Sequence, residues 1–338
     1  MKVVVALSGG VDSSVAAFLL KRRGFDVFGI SFKLFEGHDI SDAHKVCEII
    51  GIPLEVLDLQ QIFKREVIDY FAEEYLRGRT PNPCAICNLK IKFKFLMEKK
   101  KEINADYIAT GHYVRVVKKD GKPFLKVAKD RWKSQEYFLS ILPEEILKYT
   151  IFPLGEYTKE EVKKIAEKEN LPVLSKHESQ SVCFLGGKGR TYSDFLIKEY
   201  GAKAKRGKII FKNGKELGEH EGYFRYTIGQ RKGLRIPYGK PLYVIEIRPK
   251  ENVVVVGEER DVYKREMNVD LIVWRGASSG EYRVRIRYQH TPAKALVYVK
   301  EKEAKVIFEE PQFAPTPGQL ATFYEDDIVI GGGFIKSC

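Results

Sequence analysis

The sequence predicts an α/β N-terminal domain on a parallel sheet, then a small β-rich central domain, then a C-terminal β-barrel. Two observations predict this. Strand-like and helix-like segments alternate through the first 200 residues, and short alternating strands take over from about Gly201. The expected division is 1–200, 201–262 and 263–338.

Lys2–Leu7 is a nearly continuous apolar run and reads as a buried strand. Ser13–Arg23 follows with Val15, Ala16, Leu19 and Leu20 at helical spacing. Asp26–Phe32 reads as strand, Asp39–Ile50 as helix, Leu54–Leu57 as strand and Gln61–Arg77 as a long helix. Asn88–Glu102 reads as helix and Tyr107–Thr110 as strand. Ligands of such sheets collect at the carboxyl ends of the strands, which singles out the loops after Leu7, Phe32 and Thr110. Asp120-Gly121 between Val114–Lys118 and Pro123–Lys129 is a hairpin signal. Gln135–Leu142, Lys159–Lys168 and Tyr192–Tyr200 read as helices. Asn213-Gly214 marks a second hairpin, and Pro241–Ile247 pairs with Asn252–Gly257. Asn268–Trp274, Glu281–Tyr288, Ala293–Lys300, Ala304–Glu309, Gln319–Tyr324 and Ile328–Ile335 are the expected barrel strands.

A chain of 338 residues exceeds one ordinary core, and 44% hydrophobic with 31% charged residues suits a soluble globular protein. No apolar run approaches the roughly 20 residues that span a bilayer, and the N-terminus has no cleavable signal pattern. A cytoplasmic location is expected. The net charge of +12 suits a polyanion, RNA or DNA first; a Lys/Glu-rich surface of a heat-adapted organism gives the same figure. The five cysteines are Cys47, Cys84, Cys87, Cys183 and Cys338, an odd count that argues against a disulfide scaffold. Cys47 reads as core and Cys338 as a fraying end.

The string Ser8-Gly9-Gly10-Val11-Asp12-Ser13-Ser14, entered through Ala6 and Leu7, lies between the first strand and first helix. It is an anion cradle. Glycines admit phosphate to the backbone, the helix N-terminus offers free N–H groups, and Ser8, Ser13 and Ser14 add hydroxyls. Asp12 would repel phosphate unless a cation intervenes, so it is the candidate Mg²⁺ ligand. An ordinary N-cap turn is the plainer alternative. The string resembles the PP-loop of the N-type ATP pyrophosphatases, an adenine nucleotide alpha hydrolase-like fold whose members split ATP between the α and β phosphates. Phe32 is placed to pack on adenine, Gly111 to admit the nucleotide, and His112 to face the reaction centre.

Thr80-Pro81-Asn82-Pro83-Cys84-Ala85-Ile86-Cys87 reads as a rigid loop before a basic helix. The C-x-x-C spacing suggests a metal, a cluster or redox chemistry. A position near a helix N-terminus with Lys90, Lys92 and Lys94 close by favours thiolate at Cys87. Cys183 follows about a hundred residues later.

The chain resembles the bacterial tRNA-specific 2-thiouridylases at Ser8–Ser14, Gly78–Phe93, Ala105–Val114, Lys133–Leu142, Cys183–Leu185, Tyr226–Leu234, Arg287–Gln289 and Thr316–Gln319. The resemblance implies ATP-dependent adenylation of a wobble uridine O2 and then sulfur transfer, on tRNAs of the Lys, Glu and Gln types. It implies a persulfide on Cys183, attack by Cys87, and a base held by Asn82 and Pro83. It also implies tRNA contacts at His112, Lys133, Ser134, Gln135, Arg287, Tyr288 and Gln319, and a sulfur donor, either sulfide or a persulfide carrier. Two departures stand out. Ser134 replaces an aspartate, and Cys84 stands where the familiar loop has an aspartate. Three thiolates, Cys84, Cys87 and Cys183, suit a [4Fe–4S] cluster with one open iron. Persulfide chemistry with Cys84 a bystander, or zinc with His177 added, are alternatives. Another PP-loop tRNA thiolase, or a cluster-bearing RNA-binding regulator without catalysis, remain the competing functions.

Overall fold

Three adjacent β-branched residues make β1 (Lys2–Ala6) a central strand: Val3, Val4 and Val5 are fully buried. In the computed structural model, which describes residues 1–171, 182–185, 191–277 and 279–338, β1 pairs in parallel with β2 (Asp26–Lys33) and β4 (Tyr107–Ala109). β3 (Leu54–Asp58) lies outside β2, and β7 (Thr150–Ile151) outside β4, giving the order β3-β2-β1-β4-β7. The order reverses direction between β1 and β4. That is the topological switch point, where a crevice opens beyond the strand ends.

The chain divides into two compact units. The first comprises Met1–Val67, Cys84–Gln180 and Tyr324–Gly331, and the second Ile68–Pro83, Ser181–Phe323 and Gly332–Cys338. In the first unit, helices Val11–Arg22, Ser41–Ile50 and Lys159–Lys168 bury Val15, Leu19, Val46, Cys47 and Val162 against the sheet. The Lys159–Lys168 helix starts at a capping box: Thr158 Oγ1 accepts from the Glu161 N–H (3.2 Å), and Glu161 Oε2 accepts from the Thr158 N–H (2.7 Å). This cap fixes Lys159 as the first helical residue. Asp120 (φ 51°) and Gly121 (φ 75°) turn the hairpin of β5 (Arg115–Lys119) and β6 (Lys122–Lys126), as a type I′ turn requires. Leu125 and Lys126 pair with Val329 and Ile328, a partnership with no sequence signal.

The helix expected from Asn88 begins at Pro83. It runs through Pro83–Cys87, a wide π-type turn at Asn88–Lys92, and Phe93–Glu102. Proline suits a first helical turn because its missing N–H is not needed there. Cys84 and Cys87 are therefore helical, not loop residues.

In the second unit, β8 (Gly207–Phe211), β9 (Glu216–His220), β10 (Tyr243–Arg248) and β11 (Val253–Gly257) form a sheet of order β10-β11-β8-β9. Both expected hairpins are present, joined by a parallel β8–β11 pairing. The C-terminal strands are β12 (Tyr263–Trp274), β13 (Gly280–Arg285), β14 (Ala293–Lys300), β15 (Glu303–Phe313), β16 (Leu320–Glu325) and β17 (Ile328–Ser337). A β12–β17 pairing closes them into the barrel. In β14, Ala295 and Val297 point inward while Leu296 and Tyr298 face out, the period-two alternation of a barrel wall. Among the described residues no helix is long and apolar enough to cross a membrane.

Candidate active site

The phosphate loop leaves β1 at the switch point. Gly9 holds a left-handed φ of 72°, and a Cβ there would lie 2.9 Å from Ala43 N and Asp42 Cβ, so only glycine fits. Ser13 Oγ and Ser14 Oγ donate to the Gly10 carbonyl (3.0 and 2.9 Å). Ser14 is fully buried. Without a nucleotide these two hydroxyls brace the loop. Ser8 is exposed, and its Oγ lies 3.1 Å from Ser13 Oγ. Phe32 lies inside β2 and is only 7% exposed.

Asp12 is the focus of a network that the sequence did not reveal. Lys159 Nζ donates to Oδ1 (2.7 Å) and Oδ2 (2.9 Å), and the Tyr113 hydroxyl donates to Oδ1 (2.7 Å). The Lys159 side chain is 10% exposed and that of Asp12 34%. Lysine therefore does part of the charge compensation assigned to Mg²⁺. One carboxylate remains a fitting set for magnesium, which binds one or two carboxylates plus phosphates and keeps its waters. The only early signal for Lys159 was its place at the start of a capped helix.

Gly111 serves the loop rather than the nucleotide directly. A Cβ there would sit 2.7 Å from Asp12 C and Ser13 N, so its bareness lets the end of β4 touch the phosphate loop. His112 follows, with Nδ1 2.8 Å from Thr110 Oγ1 and its ring stacked on Phe93 at 6.1 Å. Desolvation first, and the Lys92 charge second, push its pKa down to about 3. The ring is neutral at physiological pH.

Cys84 is exposed and Cys87 only 7% exposed. Although Cys84 meets water, the protein around its thiol pushes the pKa up, with Lys92 pulling the other way. It is a protonated thiol rather than a ready thiolate. Cys183 opens a short turn, Cys183–Leu185, and is exposed. Cys84 and Cys87 belong to the first unit and Cys183 to the second. Among the described residues no three of His, Cys, Asp and Glu gather to hold a metal ion. His177 lies outside the described residues. Cys47 is core, its thiol pushed up to about 11 by burial. Cys338 donates to Pro315 O (3.3 Å) instead of fraying, its thiol pushed up to about 12 by burial.

Residues 1–187 match the model of a tRNA methyl transferase HUP domain, 193–258 a tRNA methyl transferase PRC-barrel domain, and 264–335 an aminomethyltransferase beta-barrel domain. A tRNA-specific 2-thiouridylase from Carboxydothermus hydrogenoformans is 44% identical over 99% of this chain and 97% of its own. Those from Clostridium acetobutylicum and Clostridioides difficile are 42% and 40% identical, each over 99% of this chain and 99% and 98% of their own. The chain belongs to the tRNA-specific 2-thiouridylase family.

The family resemblance named RNA-facing residues, and several of them turn inward in this 2-thiouridylase-family chain. Ser134 is 2% exposed; its Oγ accepts from the Ala128 N–H (2.9 Å) and donates to Glu136. Gln135 Oε1 accepts from the Tyr113 N–H (2.9 Å) and so braces the residue that holds Asp12. The Lys133 N–H donates to Asp130 (3.2 Å), and Trp132 beside it is 93% exposed. Trp132, flanked by Arg131 and Lys133, was missed by sequence reading. In the second unit, Arg287 Nη2 lies 2.9 Å from Ala314 O, 2.8 Å from Thr316 Oγ1 and 3.2 Å from Ile228 O. It ties the Tyr226–Leu234 string to the turn before β16. Arg285 lies over the Tyr288 ring at 5.6 Å. Asn82 is 6% exposed, and its N–H donates to the Tyr70 hydroxyl. Gln319 Nε2 reaches the Thr80 and Pro81 carbonyls.

Two outcomes are expected. Lys159→Met strands the half-buried Asp12 charge and lowers stability by about 1–2 kcal/mol, after discounting for solvent access, in chemical denaturation. Lys159→Met/Asp12→Asn recovers most of that loss; a double variant no better than the single one counts against the pair. His112 should show no NMR titration between about pH 5 and 8. Because its folded pKa lies below its unfolded value, its neutral form favours folding at neutral pH, and that contribution fades as pH falls through the ordinary histidine range toward about 3. A titration midpoint near 6.5 would sink this reading.

Proposed function

We propose that this chain replaces the C2 oxygen of the wobble uridine of tRNA with sulfur, using ATP. The observation that carries the reading is the phosphate cradle at the β1–β4 switch, in a chain that matches 2-thiouridylases over nearly its whole length. ATP lies against the backbone of Ala6 to Ser14, with Gly111 closing the loop from beneath and Phe32 flooring the site. Asp12 would hold Mg²⁺, which would neutralise phosphate charge. Uridine O2 attacks the α-phosphate, pyrophosphate leaves, and C2 becomes electrophilic. Asn82 and Pro83 hold the base, and His112 approaches it as a neutral hydrogen-bonding ring. RNA rests on Lys133, Arg287 and Tyr288. Trp132 offers a stacking face among cations. The breaks between the three matched family models fall at 188–192 and 259–263; the second agrees with the proposed boundary 262/263, and the first lies ahead of 200/201.

For sulfur delivery we propose persulfide chemistry. A donor loads Cys183 as Cys–S–SH. The Cys87 thiolate attacks the inner sulfur, a Cys87–Cys183 disulfide forms, and hydrosulfide leaves. Hydrosulfide adds to C2, and AMP departs with the original oxygen. A dithiol reductant then restores both cysteines with two electrons. A [4Fe–4S] cluster held by Cys84, Cys87 and Cys183 is the alternative route. The family-model descriptions speak of methyl transfer, whereas the relatives' names and the paired cysteines favour sulfur.

Unmodified tRNA of the Lys, Glu or Gln type, incubated with ATP, Mg²⁺ and a persulfide donor, should gain 2-thiouridine by nucleoside mass spectrometry. A methylated nucleoside, or no change, overturns the proposal. Asp12→Asn should lower pyrophosphate release by roughly 100-fold, while Cys87→Ser and Cys183→Ser leave it intact and abolish thiolation. Cys84→Ala should keep most activity and carry no less iron than the wild type. Loss of iron, acid-labile sulfide and activity together after anaerobic purification restores the cluster reading.

A further inference from the structure

The segment Thr80-Pro81-Asn82-Pro83 cannot organise itself. Two of its four residues lack an N–H, so its carbonyls need donors from elsewhere. Pro81 and Asn82 are buried, which makes an unpaired carbonyl there costly. Within the second unit those donors come from the turn that enters β16. Gln319 Nε2 donates to Thr80 O (3.1 Å) and to Pro81 O (3.0 Å), so both protons of one amide serve adjacent carbonyls. The Thr80 N–H donates back to Pro317 O (2.8 Å). Gly318, at φ 93°, lies so close that a Cβ would stand 2.8 Å from Thr80 O.

The clamp is anchored on its own side. The Gln319 N–H donates to Thr316 O (3.1 Å), the Ile335 N–H to Gln319 O (2.8 Å), and the Gly318 N–H to Ile335 O (2.9 Å). The segment has a second tether, because Arg79 Nε lies 2.8 Å from Glu74 Oε2 and Arg79 Nη2 donates to Ile335 O (3.4 Å). Gly78, at φ 74°, packs where a Cβ would stand 2.7 Å from Pro249 Cγ.

We propose that Gln319 is a positioning residue for the base-binding segment: its amide, with the bare Gly318 beside it, sets the path of Thr80–Pro83 and thereby where Asn82 and Pro83 meet the target uridine. This rests on the reading above that Asn82 and Pro83 hold the base. It differs from a direct RNA contact, since both amide protons are already committed to protein carbonyls. The helix that carries Cys84 and Cys87 starts at Pro83, so a displaced segment also moves the beginning of that helix.

The test uses full-length Gln319→Glu, which keeps the shape but turns a carboxylate toward two carbonyl oxygens, and Gly318→Ala, which presses on Thr80 O from the neighbouring position. Peptide-resolved hydrogen exchange, tRNA affinity by filter binding, and single-turnover thiolation of an unmodified tRNA transcript are the readouts. For both variants, exchange across residues 79–83 should rise at least about tenfold while peptides from β15 keep their protection, which shows the barrel is folded. The thiolation rate should fall roughly 10- to 100-fold with tRNA Kd within about threefold. Unchanged exchange in 79–83 overturns the clamp. A weakened Kd with an unchanged rate overturns the positioning role and makes Gln319 an RNA contact. If the wild type makes no 2-thiouridine, the functional reading fails and the exchange arm alone decides the clamp.

Discussion

The site depends on the missing side chain of Gly111. With no Cβ, the end of β4 approaches the Asp12–Ser13 backbone to a distance no other residue allows. This contact does two jobs. It packs the phosphate loop against the strand on the far side of the switch point, and it sets the register of the next two residues. His112 then falls against Phe93, and Tyr113 reaches Asp12 with its hydroxyl. Lys159 completes the arrangement from a helix whose start is fixed by the Thr158–Glu161 cap. A carboxylate held by a lysine and a tyrosine is pre-oriented before any cation arrives, so less reorganisation is left for the bound state.

Much of the fold was legible because it is written in local periodicity. The Val3–Val5 run, the Asp120-Gly121 turn and the alternation of β14 each declare their element within a few residues. The phosphate loop was legible because its glycines and helix start are contiguous. Lys159 and Gln319 were not legible in their observed roles. Lys159 acts 147 residues from Asp12, and Gln319 acts 239 from Thr80, and neither separation leaves a pattern in the intervening chain. The helix start at Pro83 was missed for a different reason: Asn-Pro-Cys reads as turn chemistry, yet proline at a first helical position is favourable. Ser13 and Ser14 show a role that the sequence does not declare. A hydroxyl near a phosphate loop invites a ligand role, and here both also donate to the Gly10 carbonyl and hold the loop together.

Cys84 and His112 bring no formal charge to the surroundings of Lys92. The Cys84 thiol is held protonated by its surroundings and carries no charge there. His112 is likewise held neutral. Lys92 then faces two uncharged groups, and its positive charge stays available to whatever anion enters, be it phosphate or a sulfur leaving group.

Charge on the rest of the surface works differently. Lysine and arginine exceed acidic residues by 58 to 46, yet many of the cations are engaged. Lys119–Glu325, Lys129–Glu161 and Lys208–Glu216 are exposed pairs at 2.5, 2.8 and 2.7 Å, of the kind that adds little stability and cancels local charge. The excess that remains draws RNA through its phosphates, an attraction that falls with salt and carries no sequence information. Choice of a base must then rest on groups whose geometry is fixed. The Thr80–Pro83 segment has that property, because its prolines restrict the backbone and its carbonyls are held by one amide. The same rigidity makes the segment sensitive to a residue 239 positions away that has no chemistry of its own.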